Sequence, residues 1–209
     1  MEIRENILNK YSGANKLHRK FIELRSSRWW FSEVEKELPK KGTILDLGCG
    51  HGYFSHYLWE MSKERKIIGL DCDKSKLRIA KNSISNENII FTETDLKEKQ
   101  YPQADAIVFL DVLYQLSYDE RLSVLKRCRK SLKVGGKIII KEPCDLPKLK
   151  MIKDYLREMI VVSFWRRKPA LRFYYPEFFE WNTLFKEVGF KDITYFPISK
   201  DFMLVKLTK

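Results

Sequence analysis

The chain has 209 residues, of which 44% are hydrophobic and 13% aromatic, with only 9 glycines and 7 prolines. This length and composition predict one packed globular domain and exclude a disordered or collagen-like chain. The most prominent apolar run, residues 159–165, is far shorter than the roughly 20 residues that cross a bilayer. The N-terminus lacks the basic start and apolar run of an export signal. We therefore expect no transmembrane segment and a cytoplasmic location.

Lysine and arginine total 40 against 28 acidic residues, which gives a formal net charge of +12. Such a charge permits attraction to nucleic acid, anionic lipid or acidic metabolites, but it equally suits a surface that only keeps the protein in solution. The four cysteines, Cys49, Cys72, Cys128 and Cys144, form no Cys-x-x-Cys pair. We therefore predict reduced thiols and no metal site.

Residues 1–38 are predicted to form a helical segment that packs on the main domain. Apolar residues in this segment recur at steps of three and four residues or their sums, which is the spacing of one helical face. They are Leu17, Phe21, Leu24, Phe31, Val34 and Leu38. His18 in this segment, and His56 further along the chain, are interpreted as ordinary surface or packing histidines.

Residues 39–209 alternate between short apolar runs and helical patterns. The runs at 43–47, 67–70, 89–91, 106–110 and 138–140 predict five strands, and helices are predicted at 53–63, 74–82 and 119–132. Gly135 and Gly136 are expected to stop the last of these helices before the fifth strand. Continuous β-branched runs separated by helices are typical of a parallel sheet covered on both faces, so we expect a doubly wound α/β fold.

The C-terminal third of the chain has a different pattern. An amphipathic helix is predicted within an insertion at about 145–175, and a further helix at 176–188 ends at Gly189. The two final strands, 192–196 and 202–207, are joined closely enough to form an antiparallel pair.

An acidic residue and three alternating glycines follow the first strand, in the run Asp46-Leu47-Gly48-Cys49-Gly50-His51-Gly52. Glycines at this spacing let the backbone turn tightly and approach a ligand, while the helix that begins there presents free N–H groups. The spacing G-x-G-x-G differs from the G-x-G-x-x-G of dinucleotide-binding enzymes, which argues against nicotinamide or flavin chemistry. We predict a loop that holds a polar ligand.

Two further carboxylates follow the next strands. Asp71 ends the second strand, 19 residues after Gly52, where a carboxylate can accept two hydrogen bonds from the hydroxyls of a ribose. Capping of the helix that starts near Lys74 is the alternative role for Asp71. Asp95 follows the third strand, where it could receive the exocyclic amine of adenine. Together these carboxylates indicate a nucleoside ligand.

These motifs resemble those of the class I S-adenosylmethionine-dependent methyltransferases. The resemblance rests on residues 44–52, 69–71, 95–96 and 132–137 and covers roughly Leu38 to the C-terminus. It implies a Rossmann-like methyltransferase fold with a doubly wound, mostly parallel seven-stranded sheet, an antiparallel C-terminal strand pair, the N-terminal helical segment and a helical lid insertion. It also implies S-adenosylmethionine as the cofactor and S-adenosylhomocysteine as its product.

The same resemblance implies a set of cofactor-binding residues near the ends of the predicted strands. The loop of Asp46, Gly48, Gly50 and Gly52 is assigned to the methionine part of the cofactor. Asp71 is assigned to the ribose, and Asp95 with Leu96 to the adenine. The set is completed by Cys49, by Cys72, and by Asp111 at the end of the fourth strand, where the family places residues beside the transferable methyl group.

No catalytic residue is assigned, because methyl transfer is an in-line displacement that alignment and desolvation can drive without a strong base. The candidate bases near the strand ends are His51, Asp111, Tyr114 and Glu142. The sequence lacks the Asn/Asp-Pro-Pro-aromatic tetrapeptide of methyltransferases that act on adenine or glutamine. Cys144 follows a proline, as in RNA cytosine-C5 methyltransferases, but an inert buried thiol is the preferred interpretation.

The insertion at 145–175 combines aromatic and basic residues, namely Phe164, Trp165, Arg166, Arg167, Lys168, Arg172, Phe173, Tyr174 and Tyr175. This mixture suits an apolar acceptor with an anionic group, while core packing of the rings and stacking of RNA bases are the alternatives. We therefore expect a methyltransferase that acts on a small-molecule or lipid-like acceptor. An RNA methyltransferase and a cofactor-binding protein without transfer activity are the rival hypotheses, and the oligomeric state is not predicted.

Overall fold

A seven-stranded sheet forms the centre of the computed structural model, which describes residues 2–26, 29–84, 86–97, 100–144, 174–199 and 201–209. Its strands are β1 (Gly42–Leu47), β2 (Arg65–Asp71), β3 (Ile89–Glu93), β4 (Ala104–Leu110), β5 (Leu132–Pro143), β6 (Asp192–Ser199) and β7 (Phe202–Thr208). They lie in the order β3-β2-β1-β4-β5-β7-β6. Neighbouring strands among β1 to β5 are parallel, whereas β7 is antiparallel to both β5 and β6. The predicted fold class is confirmed.

Helices cover both faces of the sheet. They are α1 (Glu2–Asn9), α2 (Lys16–Ser26), α3 (Trp30–Lys36), α4 (Tyr53–Met61), α5 (Lys74–Asn82), α6 (Tyr118–Ser131) and α7 (Phe178–Val188), with a 3-10 turn at Leu113–Gln115. Successive strand residues point to opposite faces, so Leu45 packs in one buried cluster with α6 and α7, and Ile44 packs in another with α3, α4 and α5. Among the helices of the described ranges, none has the length and apolar character needed to cross a membrane.

The order of the strands determines where a ligand can bind. β1 lies between β2 and β4, and Asp46 near its end is level with Gly69 on β2 and Val108 on β4. The chain therefore leaves β1 toward one edge of the sheet and later returns to β4 on the other side of β1. Such a reversal opens a crevice at the carboxyl ends of the strands. Asp46 and Asp71 of the predicted cofactor site lie in the last residues of β1 and β2, and the other predicted residues follow β1, β2, β3 or β4 at this end.

The N-terminal helices pack on the sheet, but the predicted apolar face of α2 is wrong. Leu17 and Leu24 are 47% and 63% exposed, whereas α2 buries His18, Ile22 and Ser26. The prediction continued one helical phase from residue 17 to residue 38, but α2 ends at Ser26 and α3 begins afresh at Trp30. The later part of the stripe, in and after α3, is buried as predicted.

The predicted role of the glycine pair before β5 is also wrong. α6 ends at Ser131 and β5 begins directly at Leu132, so the glycines lie inside the strand rather than between helix and strand. The register between β4 and β5 shifts there, and Gly135 has a φ of 72°. A residue in the left-handed region is typical of such a bulge. The predicted lid insertion, up to residue 173, lies outside the described residues.

Candidate functional site

The glycine loop after β1 is held tightly against β2. The N–H groups of Gly48 and Cys49 both donate to the carbonyl of Leu70, at 2.7 and 3.1 Å. Gly48 has a φ of 80°, and a Cβ at this position would overlap the side chain of Val112, which follows β4. Glycine therefore allows the loop to lie directly against the turn after β4, and the two segments form adjacent walls of one crevice.

Gly50 differs from Gly48 because its surroundings are open. Its φ is 56°, which an L side chain rarely adopts. A Cβ built here has one neighbouring heavy atom within 4 Å, the Cδ of Lys76 at 3.9 Å. The backbone at Gly50 is thus accessible to a bound group, which is the arrangement predicted for a loop that cradles a polar ligand.

Asp71 connects the end of β2 to the glycine loop. Its Oδ2 accepts a hydrogen bond from the N–H of Gly50 and its Oδ1 accepts one from the N–H of Asp73, both at 2.8 Å. The capping role proposed as an alternative for Asp71 belongs to Asp73, which accepts from the N–H groups of Ser75 and Lys76 at the start of α5. A carboxylate has about four acceptor positions, so Asp71 keeps acceptor capacity for a ligand.

Asp46 lies beneath the loop and is 3% exposed. Its Oδ2 accepts a hydrogen bond of 2.5 Å from the hydroxyl of Ser55 on α4. Burial raises the pKa of Asp46 to about 6, although the bond from Ser55 opposes this shift. A nearby cationic group on a ligand would favour the ionised form of this carboxylate.

Four other predicted cofactor residues lie in the segments that follow β1, β2 and β3. Cys49 is partly buried, and burial raises the pKa of its thiol well above the ordinary value, so the thiol stays protonated. Cys72 is exposed. Leu96 is buried, and its carbonyl accepts from the Tyr101 hydroxyl at 2.5 Å. Asp95 is exposed. Its neighbour Thr94 donates a backbone hydrogen bond to the carbonyl of Asp71, which joins this segment to the end of β2.

The turn after β4 begins at a strained residue. Asp111 has a φ of 59°, and within the described ranges no other residue except glycine has a positive φ. Strain of this kind is typical of functional sites and persists only where the surroundings enforce it. Two contacts with Lys141 of β5 do so here: the N–H of Asp111 donates to the Lys141 carbonyl at 2.9 Å, and the Lys141 Nζ contacts the Asp111 Oδ1 at 2.6 Å.

Lys141 was not predicted to belong to the site. Its side chain is 3% exposed, and its Nζ lies 3.6 Å from the centre of the Phe202 ring and 4.9 Å from that of Trp30. Burial lowers the pKa of Lys141, and Asp111 opposes this effect. The sequence does carry one sign of this buried lysine. The charged pair Lys141-Glu142 directly follows the apolar run of a predicted strand, where a lysine side chain cannot easily reach solvent.

Glu142 holds the backbone of the same turn. This fully buried carboxylate accepts hydrogen bonds from the N–H groups of Val112, Leu113 and Tyr114, at 2.8, 2.7 and 3.2 Å. Burial and the nearby Asp111 raise the pKa of Glu142 to about 7, while the three N–H donors favour its ionised form. Because its oxygens are occupied by the turn, Glu142 is a positioning residue rather than an accessible base.

Two residues, one from the turn after α1 and one from α2, contact the glycine loop at His51. The Nδ1 of His18 lies 2.7 Å from the Nε2 of His51, and the hydroxyl of Tyr11 donates to the His51 carbonyl at 2.8 Å. Burial lowers the pKa of both histidines, that of His51 to about 3. Both rings are therefore neutral near pH 7, and one nitrogen donates to the other. His18 is thus a loop contact, whereas His56 is the packing histidine predicted, bonded to Ser83.

Tyr114 marks the point where the chain returns from the insertion. Its carbonyl accepts from the N–H of Tyr174 at 2.7 Å, and its ring stacks on Tyr175 with 5.7 Å between the centroids. The last residues of the predicted insertion therefore contact the turn after β4. This places the described end of the predicted lid beside Tyr114.

Comparison with known proteins agrees with this architecture. A family model described as a methyltransferase domain matches residues 38–187. The chain is 26% identical to cephaeline 6'-O-methyltransferase from Carapichea ipecacuanha, covering 79% of this chain and 46% of that protein. It is 28% identical to myricetin O-methyltransferase from Catharanthus roseus, covering 75% of this chain and 44% of that protein. The chain thus spans less than half the length of these curated relatives.

Solved structures share the fold at lower identity. Human N-acetylserotonin methyltransferase in complex with S-adenosylmethionine superposes with a TM-score of 0.71 and 21% identity, over 90% of this chain and 53% of that one. An O-methyltransferase family 2 protein from Planctomyces limnophilus superposes with a TM-score of 0.68 and 16% identity, over 97% of this chain and 64% of that one. By its family-model match, its motifs and its sheet, the chain belongs to the class I S-adenosylmethionine-dependent methyltransferases.

Proposed function

We propose that this chain transfers a methyl group from S-adenosylmethionine to an oxygen atom of a small-molecule acceptor. The observation that carries the proposal is the crevice in which the open backbone at Gly50, the carboxylate of Asp71 and the strained Asp111 meet at the carboxyl ends of β1, β2 and β4. The curated relatives reported above are O-methyltransferases by name, which favours an oxygen acceptor.

The residues present fit this cofactor. Asp71 is oriented by two backbone N–H groups and keeps acceptor capacity for the two ribose hydroxyls. The cofactor carries a sulfonium and an ammonium group, and Asp46 and Asp111 supply carboxylates on the loop and turn that would surround them. When bound, S-adenosylmethionine supplies a methyl group already activated by the sulfonium sulfur, so the chain needs chiefly to align the acceptor and exclude water.

The contacts distinguish the four candidate bases. Glu142 is enclosed by three N–H donors, and His51 is engaged with His18. Tyr114 is 6% exposed, whereas the Asp111 side chain is 22% exposed and belongs to the first residue of the turn after β4. Since Asp111 is already paired with Lys141, we assign it to orienting the reacting groups, with alignment as the main contribution to the rate.

The cofactor assignment predicts a thermal shift. S-adenosylmethionine and S-adenosylhomocysteine are each expected to raise the Tm of the chain, because ligand a hundredfold above its Kd stabilises the native state by about 2.7 kcal/mol. For a domain of this size that corresponds to a rise of roughly 5–10 °C. NAD at the same concentration is expected to leave the Tm unchanged. Differential scanning fluorimetry checks this, and a shift with NAD but with neither sulfur ligand contradicts the assignment.

The acceptor assignment predicts the salt dependence of activity. The assay measures transfer of a labelled methyl group to a panel of phenols, alcohols and carboxylic acids. The rate of transfer is expected to depend only weakly on salt concentration. Binding of RNA through many phosphates would weaken steeply, since each neutralised phosphate adds about 0.7 to the slope of log affinity against log salt. Tight RNA binding with a steep slope, together with RNA methylation, would favour the RNA methyltransferase hypothesis instead.

A further inference from the structure

The proposed cofactor site has an unbalanced set of charges. Its four carboxylates lie at or just after the ends of β1, β2 and β4, and they belong to Asp46, Asp71, Asp73 and Asp111. These carboxylates suit the sulfonium, the ammonium and the ribose hydroxyls of the cofactor. The methionine part of the cofactor also carries a carboxylate, however, and an anion placed among acidic residues requires a cationic partner.

Arg25 on α2 is placed to supply this partner. Its Nη2 lies 3.5 Å from the Asp111 Oδ2, and its side chain is 36% exposed. The guanidinium carbon lies 5.6 Å from the centre of the Phe21 ring, which in turn lies 5.5 Å from the ring of His51 in the glycine loop. Arg25 therefore lies beside the turn, and its neighbour Phe21 lies beside the loop. Its charge also acts on the deeper carboxylate, since it lowers the pKa of Asp46 against the effect of burial.

Two other cations near the crevice are less suitable. Lys141 is enclosed by aromatic rings, and its ammonium is bonded to Asp111. Lys76 lies close to Gly50, but it is paired with Asp73 at 3.5 Å, on the side of the crevice where Asp71 marks the ribose. A guanidinium also offers a planar pair of N–H donors that matches a carboxylate, which an ammonium does not.

We propose that Arg25 binds the carboxylate of the methionine part of S-adenosylmethionine, so that α2 completes the cofactor site. This inference rests on the proposed function, since it takes the same crevice as the cofactor site. The guanidinium has five N–H donors, so it can donate hydrogen bonds to the cofactor carboxylate while it keeps its 3.5 Å contact with Asp111. The N-terminal helices then do more than pack on the sheet: they contribute a ligand-binding residue.

The test compares two ligands that differ only in this group. Isothermal titration calorimetry would measure S-adenosylhomocysteine and its decarboxylated analogue on the purified chain. In the unmodified protein, loss of the carboxylate is expected to weaken binding by roughly tenfold to a hundredfold, the range for hydrogen bonds to a charged group. In Arg25→Gln, the affinity for S-adenosylhomocysteine is expected to fall by the same factor, while the affinity for the decarboxylated analogue is expected to stay unchanged.

Two matched variants make the result specific. Arg19→Gln removes the same charge from the same helix at an exposed residue paired with Glu23, and it is expected to change neither affinity. Lys76→Gln tests the rival cation. Equal effects of Arg25→Gln on both ligands, or loss of the carboxylate preference in Lys76→Gln instead, would overturn the proposal for Arg25. Failure of the unmodified chain to bind either ligand would overturn the cofactor assignment as well.

Discussion

Replacing Gly50 with valine is expected to abolish binding of S-adenosylmethionine and S-adenosylhomocysteine while the domain stays folded. The new side chain would point into the open space beside Lys76 and occupy the path by which a ligand approaches the loop. Apart from its neighbours in the chain, its Cβ would meet no protein atom closer than 3.9 Å. The folded state is therefore destabilised only by the backbone strain of the left-handed conformation, about 1–2 kcal/mol. Calorimetry measures the binding, and urea unfolding measures the stability.

Gly135 provides a matched control for this substitution. It has a φ of 72°, and a Cβ built there has no heavy atom within 4 Å, so Gly135→Val carries a similar strain in similarly open surroundings. It lies near the start of β5, at the end of the sheet opposite the crevice. Gly135→Val is expected to lose stability like Gly50→Val but to keep its cofactor affinity. Unchanged binding in Gly50→Val would show that the loop does not face the ligand.

The parts of the fold that depend on local pattern could be predicted from the sequence. Residues 106–110 form a continuous apolar run because β4 is buried on both faces, and such a run predicts a central parallel strand without further information. The buried face of α2 could not be predicted in this way. It includes His18, which is buried because it contacts His51 in another part of the chain. Gly135 was misassigned for a related reason: the same residue type serves a helix end and a strand bulge.

The candidate site shows the same division. Asp71 and the glycine loop were identifiable because each directly follows a predicted strand, and parallel strands bring their carboxyl ends together. The ion pairs of Lys141 and Arg25 with Asp111 could not be predicted, because a single lysine or arginine is most often solvated and Asp111 is distant from both in the chain. Glu142 was identified as a candidate base, but the three N–H donors that occupy it depend on the shape of the turn and leave no trace in the sequence.

The opposite end of β2 carries a buried ion pair that has no part in the site. The side chain of Arg65 is fully buried, and its Nη2 contacts the Glu35 Oε1 of α3 at 2.7 Å. The same guanidinium donates to the carbonyls of Pro39 and Leu58, both at 2.8 Å. Arg65 thus joins α3, α4 and the start of β2, while Asp71 at the end of β2 bonds to the glycine loop. Stability and ligand binding can therefore be tested separately on one strand.

Replacing Arg65 with methionine is expected to lower the free energy of unfolding by about 3–5 kcal/mol, since it removes the buried guanidinium that pairs with Glu35 and donates to the carbonyls of Pro39 and Leu58. Urea unfolding at pH 7 measures this loss. The double variant Arg65→Met with Glu35→Gln is expected to recover part of it, because the buried carboxylate that lost its Arg65 partner is then replaced by a neutral amide. The cofactor affinity of the folded single variant is expected to equal that of the unmodified chain.

The dependence of this loss on pH identifies its cause. Burial acts to raise the pKa of Glu35, but hydrogen bonds from Lys40 and Arg65 outweigh it and hold the pKa below the ordinary value of 4.5. A carboxylate with a lowered pKa stabilises the fold above pH 4.5, and this contribution disappears as the pH falls through its folded-state pKa. Arg65→Met removes one of the two donors, so the gap in stability between the variant and the unmodified chain is expected to be full at pH 7 and to narrow below pH 4.5. A gap of equal size at pH 7 and pH 3.5 would instead assign the loss to the packing of the Arg65 side chain and its bonds to the two carbonyls.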